Sequence, residues 1–461
     1  MVRRLTALLL IAVSGTAARA ASDSNGPPNV LLIVSDDQGY ADLGCFGGEA
    51  IKTPNLDRLA AGGVRLTSFY VAWPACTPSR AALLTGRYPQ RNGLYDMIRN
   101  DRVNEGHRYT EIEYSVSPEM TLGLDLREIN IGEMLHKAGY RTGMVGKWDS
   151  GRAKRYLPPS RGFDFFYGFA NTGIDYYTHE RYGIPSMFRG LERTEEDRGT
   201  YATDLFRREA LRFLRESQDE PFFLYFAPNA PHGASNFEGD NYQVPKEVVE
   251  RYYPNADPND RRTKYMAMVS DMDETVGALL DLLEQQGRAE NTLVIFLSDN
   301  GGGGIADNGP LRGGKARMFE GGIRVPGIVN WPGHLPAGKV SDEFLTSLEV
   351  FPTILAATNV DPPEGVVLDG FNLLPVLRGE KSSPRQEMFW QRRDLKAARV
   401  GHIKWIDTPK NSGLFDLSKD ISEQHDLSES HPKLLQKVRQ EFKNWKAEMK
   451  RAEPRGPFRN Y

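Results

Sequence analysis

Cys76 stands at the start of a segment whose residue types suit nucleophilic chemistry. It is followed by Thr77, Pro78, Ser79 and Arg80, and Pro78 predicts that a helix opens just after the cysteine. A helix N-terminus favours negative charge at position 76. Arg80 comes one turn later on the same face, where its guanidinium lowers the free-energy cost of an anionic nucleophile or a bound oxyanion. Taken alone, the segment fits a buried, non-catalytic cysteine equally well.

Polar residues also follow four short apolar runs that are typical of buried strands. The runs are 30–34, 142–145, 222–226 and 293–297, and the polar residues after them are Asp36 and Asp37, Lys147, His232, and Asp299 and Asn300. In open α/β sheets, ligands bind beyond the carboxyl ends of the strands. One Asp at such a place is often a turn or a helix cap, but four such strand ends predict one shared active-site edge.

The elements that position these residues alternate along the chain. A fifth apolar run covers 327–329, and helical patterns separate the runs, most clearly from Tyr265 to Leu283. This alternation predicts an α/β fold with a large, mostly parallel central sheet flanked by helices.

The pattern changes after about Pro375. Short apolar runs lie between Met388 and Leu417, and an amphipathic helix is predicted from His431 to about Met449. We therefore predict a catalytic domain over residues 28–375 and a small C-terminal subdomain, an antiparallel sheet plus a helix, over residues 376–461.

Composition excludes some classes of function. The chain has 461 residues and a net charge of −3, which argues against a nucleic-acid binder because such proteins carry a basic excess. It contains two cysteines, Cys45 and Cys76, so at most one disulfide can form. Any anionic substrate must be held by a local cluster of cations.

The N-terminus is typical of an export signal. Two arginines precede an apolar stretch from Leu5 to Ala17, and small residues then mark a cleavage site at residue 20. The stretch is too short to span a bilayer, and no cysteine near the cleavage site can carry a lipid. We predict a signal peptide over residues 1–20 and a secreted or periplasmic protein with no membrane anchor.

Cys76–Arg80, with Leu84–Arg87 downstream, resembles the signature of the type I, formylglycine-dependent sulfatases of the alkaline phosphatase superfamily. The resemblance extends from about Pro28 to the C-terminus. It implies that Cys76 is oxidised after translation to formylglycine (3-oxoalanine), whose hydrated aldehyde attacks sulfur. It also implies that Thr77–Arg80 is recognised by a formylglycine-generating enzyme.

Two further segments resemble the metal-binding segments of that family. They are Asn29–Asp37 and Ser298–Gly301. The resemblance implies that Asp36, Asp37, Asp299 and Asn300 bind a metal ion together with the modified Cys76. Three carboxylates and one amide oxygen suit Ca²⁺ better than a transition metal, although Asp-Asp and Asp-Asn-Gly also suit turns.

The remaining family motifs are matched around Lys147, His232 and Lys315. The resemblance implies that Lys147 and Lys315 hold the sulfate oxygens. It implies that His232 donates a proton to the leaving alcohol, a task that suits an imidazole.

Asp149 departs from the family pattern, which has His after Lys-Trp. In that family the His is assigned the removal of a proton from the covalent hemiacetal sulfate, the step that expels sulfate. An Asp can act as a base, but its ordinary pKa is lower and its charge opposes an anionic intermediate. Reduced or altered turnover is therefore one interpretation of this position.

Substrate class is indicated only weakly by the sequence. Residues 161–169 resemble a stretch of sulfatases that act on sulfated sugars, and Tyr176, Tyr177 and Tyr182 are candidates for stacking on a sugar ring or for the core. We predict hydrolysis of sulfate esters of saccharides. Two alternatives stay open, namely a phosphodiester or phosphonate monoester hydrolase of the same superfamily and a non-catalytic binder of sulfated glycans.

Overall fold

The computed structural model describes residues 26–452, so the predicted signal peptide and the last nine residues of the predicted subdomain lie outside the described residues. The strands are β1 (Asn29–Ser35), β2 (Val64–Tyr70), β3 (Arg141–Lys147), β4 (Phe165–Phe169), β5 (Glu180–Arg181), β6 (Ile184–Pro185), β7 (Met187–Arg189), β8 (Glu192–Arg193), β9 (Phe222–Ala227), β10 (Thr292–Ser298), β11 (Arg324–Asn330), β12 (Lys339–Ser341), β13 (Leu345–Thr346), β14 (Glu387–Arg392), β15 (Leu395–Val400), β16 (Ile403–Asp407) and β17 (Ser412–Asp416).

The helices are α1 (Pro54–Ala61), α2 (Cys76–Thr85), α3 (Pro89–Asn92), α4 (Glu111–Ser115), α5 (Pro118–Thr121), α6 (Ile131–Lys137), α7 (Ala202–Glu216), α8 (Lys246–Tyr252), α9 (Arg261–Gln285), α10 (Glu320–Ile323), α11 (Val350–Ala357), α12 (Leu374–Arg378) and α13 (Pro432–Arg451). Between residues 26 and 452, no helix is both long and apolar enough to cross a membrane.

An 11-stranded sheet forms the centre of the molecule, in the order β12-β2-β11-β10-β1-β9-β3-β4-β7-β8, with β13 also paired to β2. The middle of the sheet is parallel, from β10 through β1, β9 and β3 to β4. The predicted α/β fold with a mostly parallel sheet is confirmed. The run at 327–329 lies in β11, which is antiparallel to both of its neighbours, β10 and β2.

Both faces of the sheet are covered by helices. In β1, Val30, Leu32 and Val34 pack into one core with α2, α6 and α11, whereas Leu31 and Ile33 pack into a second core with α1, α7 and α9. Because successive side chains of a strand point to opposite faces, a strand buried on both faces must be apolar at every position. This explains why the predicted strands are continuous apolar runs.

Helix α2 begins at Cys76 itself, after Ala75 with an extended backbone at φ −161°. The expectation that the helix opens after the cysteine is therefore wrong by a small margin. Pro78 sits in the first turn, where the backbone N–H that it lacks would have no partner in the helix. Cys76 thus lies at the positive end of a helix whose residues are all buried.

Gly146, just before Lys147, allows close packing of β3 between its neighbours β9 and β4. Its φ of +105° is strained for residues with a side chain, and a Cβ there would overlap the carbonyl oxygen of Ala227 in β9. A Cβ on Gly168 in β4 would overlap the carbonyl oxygen of Gly146 in the same way. Glycine at these positions allows β3 to pack closely between β9 and β4 up to Lys147, whose Nζ then reaches Asp36 just after β1.

The C-terminal residues form the predicted antiparallel sheet, in the order β14-β15-β16-β17, with α13 packed against it. A buried ion cluster joins this sheet to Glu320 in α10. Lys404 Nζ of β16 lies 2.8 Å from Glu320 Oε1 and 2.8 Å from Glu423 Oε1, and all three side chains are fully buried. Burial raises the pKa of Glu423; Lys404 offsets part of that rise, and the nearby Glu320 adds to it.

We expect Lys404→Met to destabilise the protein by about 3–5 kcal/mol, because it leaves the buried Glu423 without its cation and the buried Glu320 with Arg324 alone. The measurement is urea unfolding at neutral pH. Lys396→Met on the neighbouring strand is the control, since its 3.3 Å pair with Asp407 is partly exposed and is expected to contribute no more than about 1 kcal/mol. Equal losses in the two variants would contradict a structural role for the buried cluster.

Candidate active site

The carboxyl ends of β1, β3 and β10 and the loop after β9 meet at one edge of the sheet, beside the start of α2. Contacts described below join the predicted site residues into a single cluster that is largely buried. Its members are Asp36, Asp37, Cys76, Arg80, Lys147, Asp149, His232, Asp299, Asn300 and Lys315.

The Cys76 thiol lies at the centre of this cluster. Its Sγ is 3.5 Å from Asp36 Oδ1 and 3.9 Å from Asp37 Oδ1, and the residue is fully buried. Burial raises the pKa of this thiol well above its usual value, and the cations of Lys147 and Lys315 do not reverse that rise. The unmodified thiol therefore stays protonated at neutral pH and is a weak nucleophile.

Asp36 and Asp299 are held by buried cations. Lys147 Nζ lies 2.6 Å from Asp36 Oδ2. Arg80 approaches Asp299 Oδ2 with both Nε and Nη2 at 2.8 Å, and its Nη2 is 3.6 Å from Asp36 Oδ1. Buried charges are tolerated when paired in this way.

Asp37 is fixed by contacts on each of its oxygens. Lys315 Nζ lies 2.6 Å from Oδ2, and Asn300 Nδ2 donates a hydrogen bond of 2.8 Å to Oδ1. Its φ of +62° places the backbone in the left-handed region, which is costly for Asp and is retained when the surroundings enforce it. Burial raises the pKa of Asp37, but Lys315, His232 and Lys147 outweigh burial and hold the pKa well below its usual range.

His232 faces the same carboxylate. Its Nδ1 lies 2.6 Å from the carbonyl oxygen of Gly233, which can only accept, so Nδ1 carries the proton of the neutral ring. Its Nε2 is 3.7 Å from Asp37 Oδ2. Burial lowers the pKa of His232 to about 3, helped by Lys315 and Lys147 and opposed by Asp37.

Asp149 contacts the residue after Cys76. Its Oδ1 accepts a hydrogen bond of 2.7 Å from Thr77 Oγ1, while its buried Oδ2 has no hydrogen-bond partner among residues 26–452 and lies 3.9 Å from Lys147 Nζ. Burial raises the pKa of Asp149 to about 6, although Lys147 and Thr77 oppose that rise. A carboxyl group with a pKa near neutrality suits general base catalysis better than an ordinary Asp.

Several side chains of the cluster lie close enough to share one metal ion. Ligand atoms of Asp36, Asp37, Cys76 and His232 all lie within 4.8 Å of one another, and Asn300 Oδ1 is buried without a hydrogen-bond partner among the described residues. Asp299 is close to this group, since its Oδ1 accepts from the backbone N–H of Asp37 at 3.2 Å. Sequence reasoning did not associate His232 with the metal segments.

Four members of the cluster line a cleft with two lobes, of about 670 Å³ and about 160 Å³. The larger lobe is lined by Asp37 and Tyr242, the smaller by Cys76, and both by His232 and Lys315.

Only one of the three candidate tyrosines, Tyr182, lines the cleft, where it borders both lobes. Tyr176 is fully buried and stacks on Tyr201 with ring centroids 5.6 Å apart, and Tyr177 packs on the same ring.

Sequence reasoning missed two features of the site. One is the hydrogen bond from Thr77 to Asp149, and the other is Arg392, which reaches the smaller lobe from the C-terminal subdomain. No local signal marks either, because both depend on contacts between distant parts of the chain.

Comparisons with known proteins agree with this geometry. Residues 28–360 match the family model described as Sulfatase, and residues 314–451 match the model described as N-sulphoglucosamine sulphohydrolase, C-terminal. N-acetylgalactosamine-6-sulfatase of Canis lupus familiaris is 36% identical over 420 residues, which cover 86% of this chain and 74% of that protein. Arylsulfatase A of Homo sapiens is 34% identical over 487 residues, covering 90% and 87%.

A solved structure is similar over nearly the whole chain. The crystal structure of Ps i-CgsB in complex with k-i-k-neocarrahexaose has a TM-score of 0.79 and 32% identity, and the match covers 91% of this chain and 93% of that one. The chain therefore belongs to the sulfatase family of the alkaline phosphatase superfamily and is a sulfuric ester hydrolase.

Proposed function

We propose that this protein is a calcium-dependent sulfatase that removes sulfate esters from sulfated carbohydrates with a formylglycine made from Cys76. The observation that carries this proposal is the position of Cys76 between two carboxylates, Asp36 and Asp37, which are themselves paired with Lys147 and Lys315. Support for a saccharide substrate comes from a relative named for N-acetylgalactosamine 6-sulfate and from a similar structure that holds a neocarrahexaose.

The modification of Cys76 is supported by the chemistry of the unmodified residue. A thiol whose pKa is raised well above its usual value by burial is a weak nucleophile at neutral pH. A hydrated aldehyde at this position supplies an oxygen nucleophile in its place. The proposal includes maturation by a formylglycine-generating enzyme and export directed by residues 1–20.

Ca²⁺ would be held by oxygen atoms, which are the ligands that it prefers. The residues that would supply them are Asp36, Asp37, Asp299, Asn300 and the modified residue 76. The ion supplies positive charge that offsets the charge of the sulfate.

The chain's own cations act on the substrate beside that ion. Lys147 and Lys315 approach position 76 from β3 and from the loop before α10, so they would bind sulfate oxygens from two sides. Arg80 holds Asp299 in place through its two short contacts.

His232 would give a proton to the leaving alcohol. Its pKa of about 3 leaves the ring neutral at pH 7, so the proton must be gained when substrate binds. The negative charge of a sulfate ester next to the imidazole raises the histidine pKa and favours that gain.

Asp149 would take the place of the histidine that the family has at this position. Its Oδ2 is buried without a hydrogen-bond partner among residues 26–452 and is therefore available to accept a proton. Thr77 orients the carboxylate through the other oxygen.

The direct test is a panel of sulfated mono- and oligosaccharides incubated with purified, modified protein, with free sulfate as the readout. Phosphate and phosphonate esters with the same leaving groups run in parallel. Release of sulfate above release of phosphate supports the proposal, whereas preferential cleavage of the phosphorus esters would establish the alternative hydrolase. Binding of the sulfated sugars without turnover would establish a glycan binder.

Protein from a host with the modifying enzyme should carry an aldehyde or its hydrate at residue 76, as read by peptide mass spectrometry. Cys76→Ala should abolish turnover without unfolding the protein, because it removes the precursor of the nucleophile. Cys45→Ala is the matched control, since Cys45 does not line the cleft, and it should keep its activity. Fully active protein with an intact thiol at position 76 would refute this prediction.

Chelation should remove activity and lower the melting temperature, and added Ca²⁺ should restore both. Loss of the cation leaves neighbouring carboxylates to repel one another, so metal binding stabilises the fold. Asp36→Ala should weaken calcium affinity in calorimetric titration, while Asp281→Asn at the surface of α9 should not. Full activity in metal-free protein would contradict the assignment.

Asp149→Asn should slow sulfate release by about a hundred- to ten-thousand-fold, the usual effect of removing a general base. The alcohol should still appear in a burst of about one equivalent per enzyme, because Asn keeps the shape of the site and the alcohol departs first. Quenched-flow measurements of alcohol and sulfate separate the two steps. If the rate falls only a few-fold and both products appear together, Asp149 is not the base.

The pH profile of sulfate release provides an independent readout of the same assignment. The base works only when ionised, so turnover should rise as pH increases through about 6, the pKa of Asp149. The rise should disappear in Asp149→Asn. A profile unchanged by the substitution would exclude this role.

A further inference from the structure

The smaller lobe of the cleft is lined by arginines from three parts of the chain. Arg392 ends β14 in the C-terminal subdomain, whereas Arg99 and Arg181 belong to the catalytic domain. Cys76 and Lys315 line the same lobe. Positive charge therefore continues from the proposed reaction centre into this lobe.

Two of these arginines have carboxylate partners in the protein. Arg181 Nε lies 2.9 Å from Glu119 Oε1 in a buried pair. Arg99 Nε lies 2.6 Å from Asp101 Oδ1, and that carboxylate is mostly exposed. Arg181 thus holds the buried Glu119 in place, whereas the carboxylate that pairs with Arg99 is in contact with solvent.

Arg392 is held by neutral groups. Its Nη1 donates a hydrogen bond of 3.2 Å to the carbonyl oxygen of Ala316, next to Lys315, and its guanidinium lies 5.5 Å from the centre of the Trp73 ring. Its buried Nε has no hydrogen-bond partner among residues 26–452. The orientation of the guanidinium is fixed while one of its donors lacks a partner.

The surroundings of Arg392 disfavour its own charge. Burial lowers the pKa of Arg392; Asp96 offsets part of this, and the charges of Arg393, Arg99 and Arg317 lower it further. Repulsion between these arginines and the partial burial of Arg392 both raise the free energy of its charged form. An anion that binds beside Arg392 offsets this cost.

We infer that Arg392, with Arg99 beside it, binds a second anionic group of the substrate, so that the enzyme prefers saccharides with another sulfate or a carboxylate near the sulfate that is removed. This inference rests on the proposed function, because it places the second group relative to the sulfate at residue 76. A guanidinium suits the role because its planar donors match two oxygens of a sulfate or carboxylate.

The test compares the binding of three glucose tetrasaccharides of equal length by calorimetry. They carry one sulfate per sugar, two sulfates per sugar, or one sulfate and one carboxymethyl group per sugar. Wild-type protein should bind one or both of the doubly charged probes about 10- to 100-fold more tightly than the singly sulfated one, the usual effect of a charged hydrogen-bonded contact. The two doubly charged probes distinguish sulfate from carboxylate as the second group.

Arg392→Met should reduce this preference to within about two-fold. Arg99→Met, at a separate loop position, should reduce it by several-fold and serves as the second variant. Arg393→Met is the matched control, because Arg393 is the next residue, is mostly exposed, and pairs with Asp96 at 2.8 Å outside the lobe. It should keep the wild-type preference.

An unchanged preference in both Arg392→Met and Arg99→Met would overturn the inference. So would an equal loss in Arg393→Met, because that result would mean that general surface charge attracts the probes. The binding preference is read without turnover. Failure of the saccharide panel to release sulfate would therefore overturn the proposed function while leaving the binding result to decide the second anion site.

Discussion

Asp36 and Asp37 are adjacent carboxylates buried just after the central strand β1. The site around them compensates two negative charges that burial removes from solvent. An uncompensated buried carboxylate costs several kcal/mol. Lys147 of β3 pairs with Asp36, and Lys315 of the loop before α10 pairs with Asp37. In each pair the lysine Nζ lies 2.6 Å from a carboxylate oxygen. Because these cations come from different elements, the sheet order and the loop conformation must both be correct before the charges can balance.

The same arrangement gives two chemically identical carboxyl groups, those of Asp37 and Asp149, different pKa values. Asp37 is kept ionised by Lys315 and Lys147, whereas burial raises the pKa of Asp149 to about 6 with only partial opposition. Titratable groups whose pKa values are driven apart in one cleft are a common sign of divided acid and base roles. The protein thus keeps one aspartate of the buried cluster as a permanent anion and brings the pKa of another close to neutrality.

The four-stranded C-terminal sheet takes part in the cleft from outside the central sheet. Lys404 and Glu423 bind Glu320 at the start of α10, and Arg392 donates to the carbonyl oxygen of Ala316. These contacts lie on both sides of the short segment that follows Lys315. The small sheet therefore supports one of the two lysines that face the carboxylates, in addition to lining the smaller lobe.

Much of the fold and the membership of the site could be predicted from the sequence, because the relevant signals are short-range. Continuous apolar runs predict strands buried on both faces, and polar residues after those runs fall at one edge when the strands are parallel. The predicted strands containing Leu31, Val145, Leu224 and Ile295 all lie in the central sheet. The resemblance of Cys76–Arg80 to a known signature added the chemistry.

Strand direction, exact helix starts and long-range partners were decided by the tertiary structure alone. An apolar run such as 327–329 does not encode whether its strand is parallel, and β11 is antiparallel because of its neighbours. The contact of Thr77 with Asp149 and the place of Arg392 in the cleft join residues far apart in sequence. Periodicity and local propensity act over a few residues, whereas pairing of buried charges depends on which distant segments packing brings together.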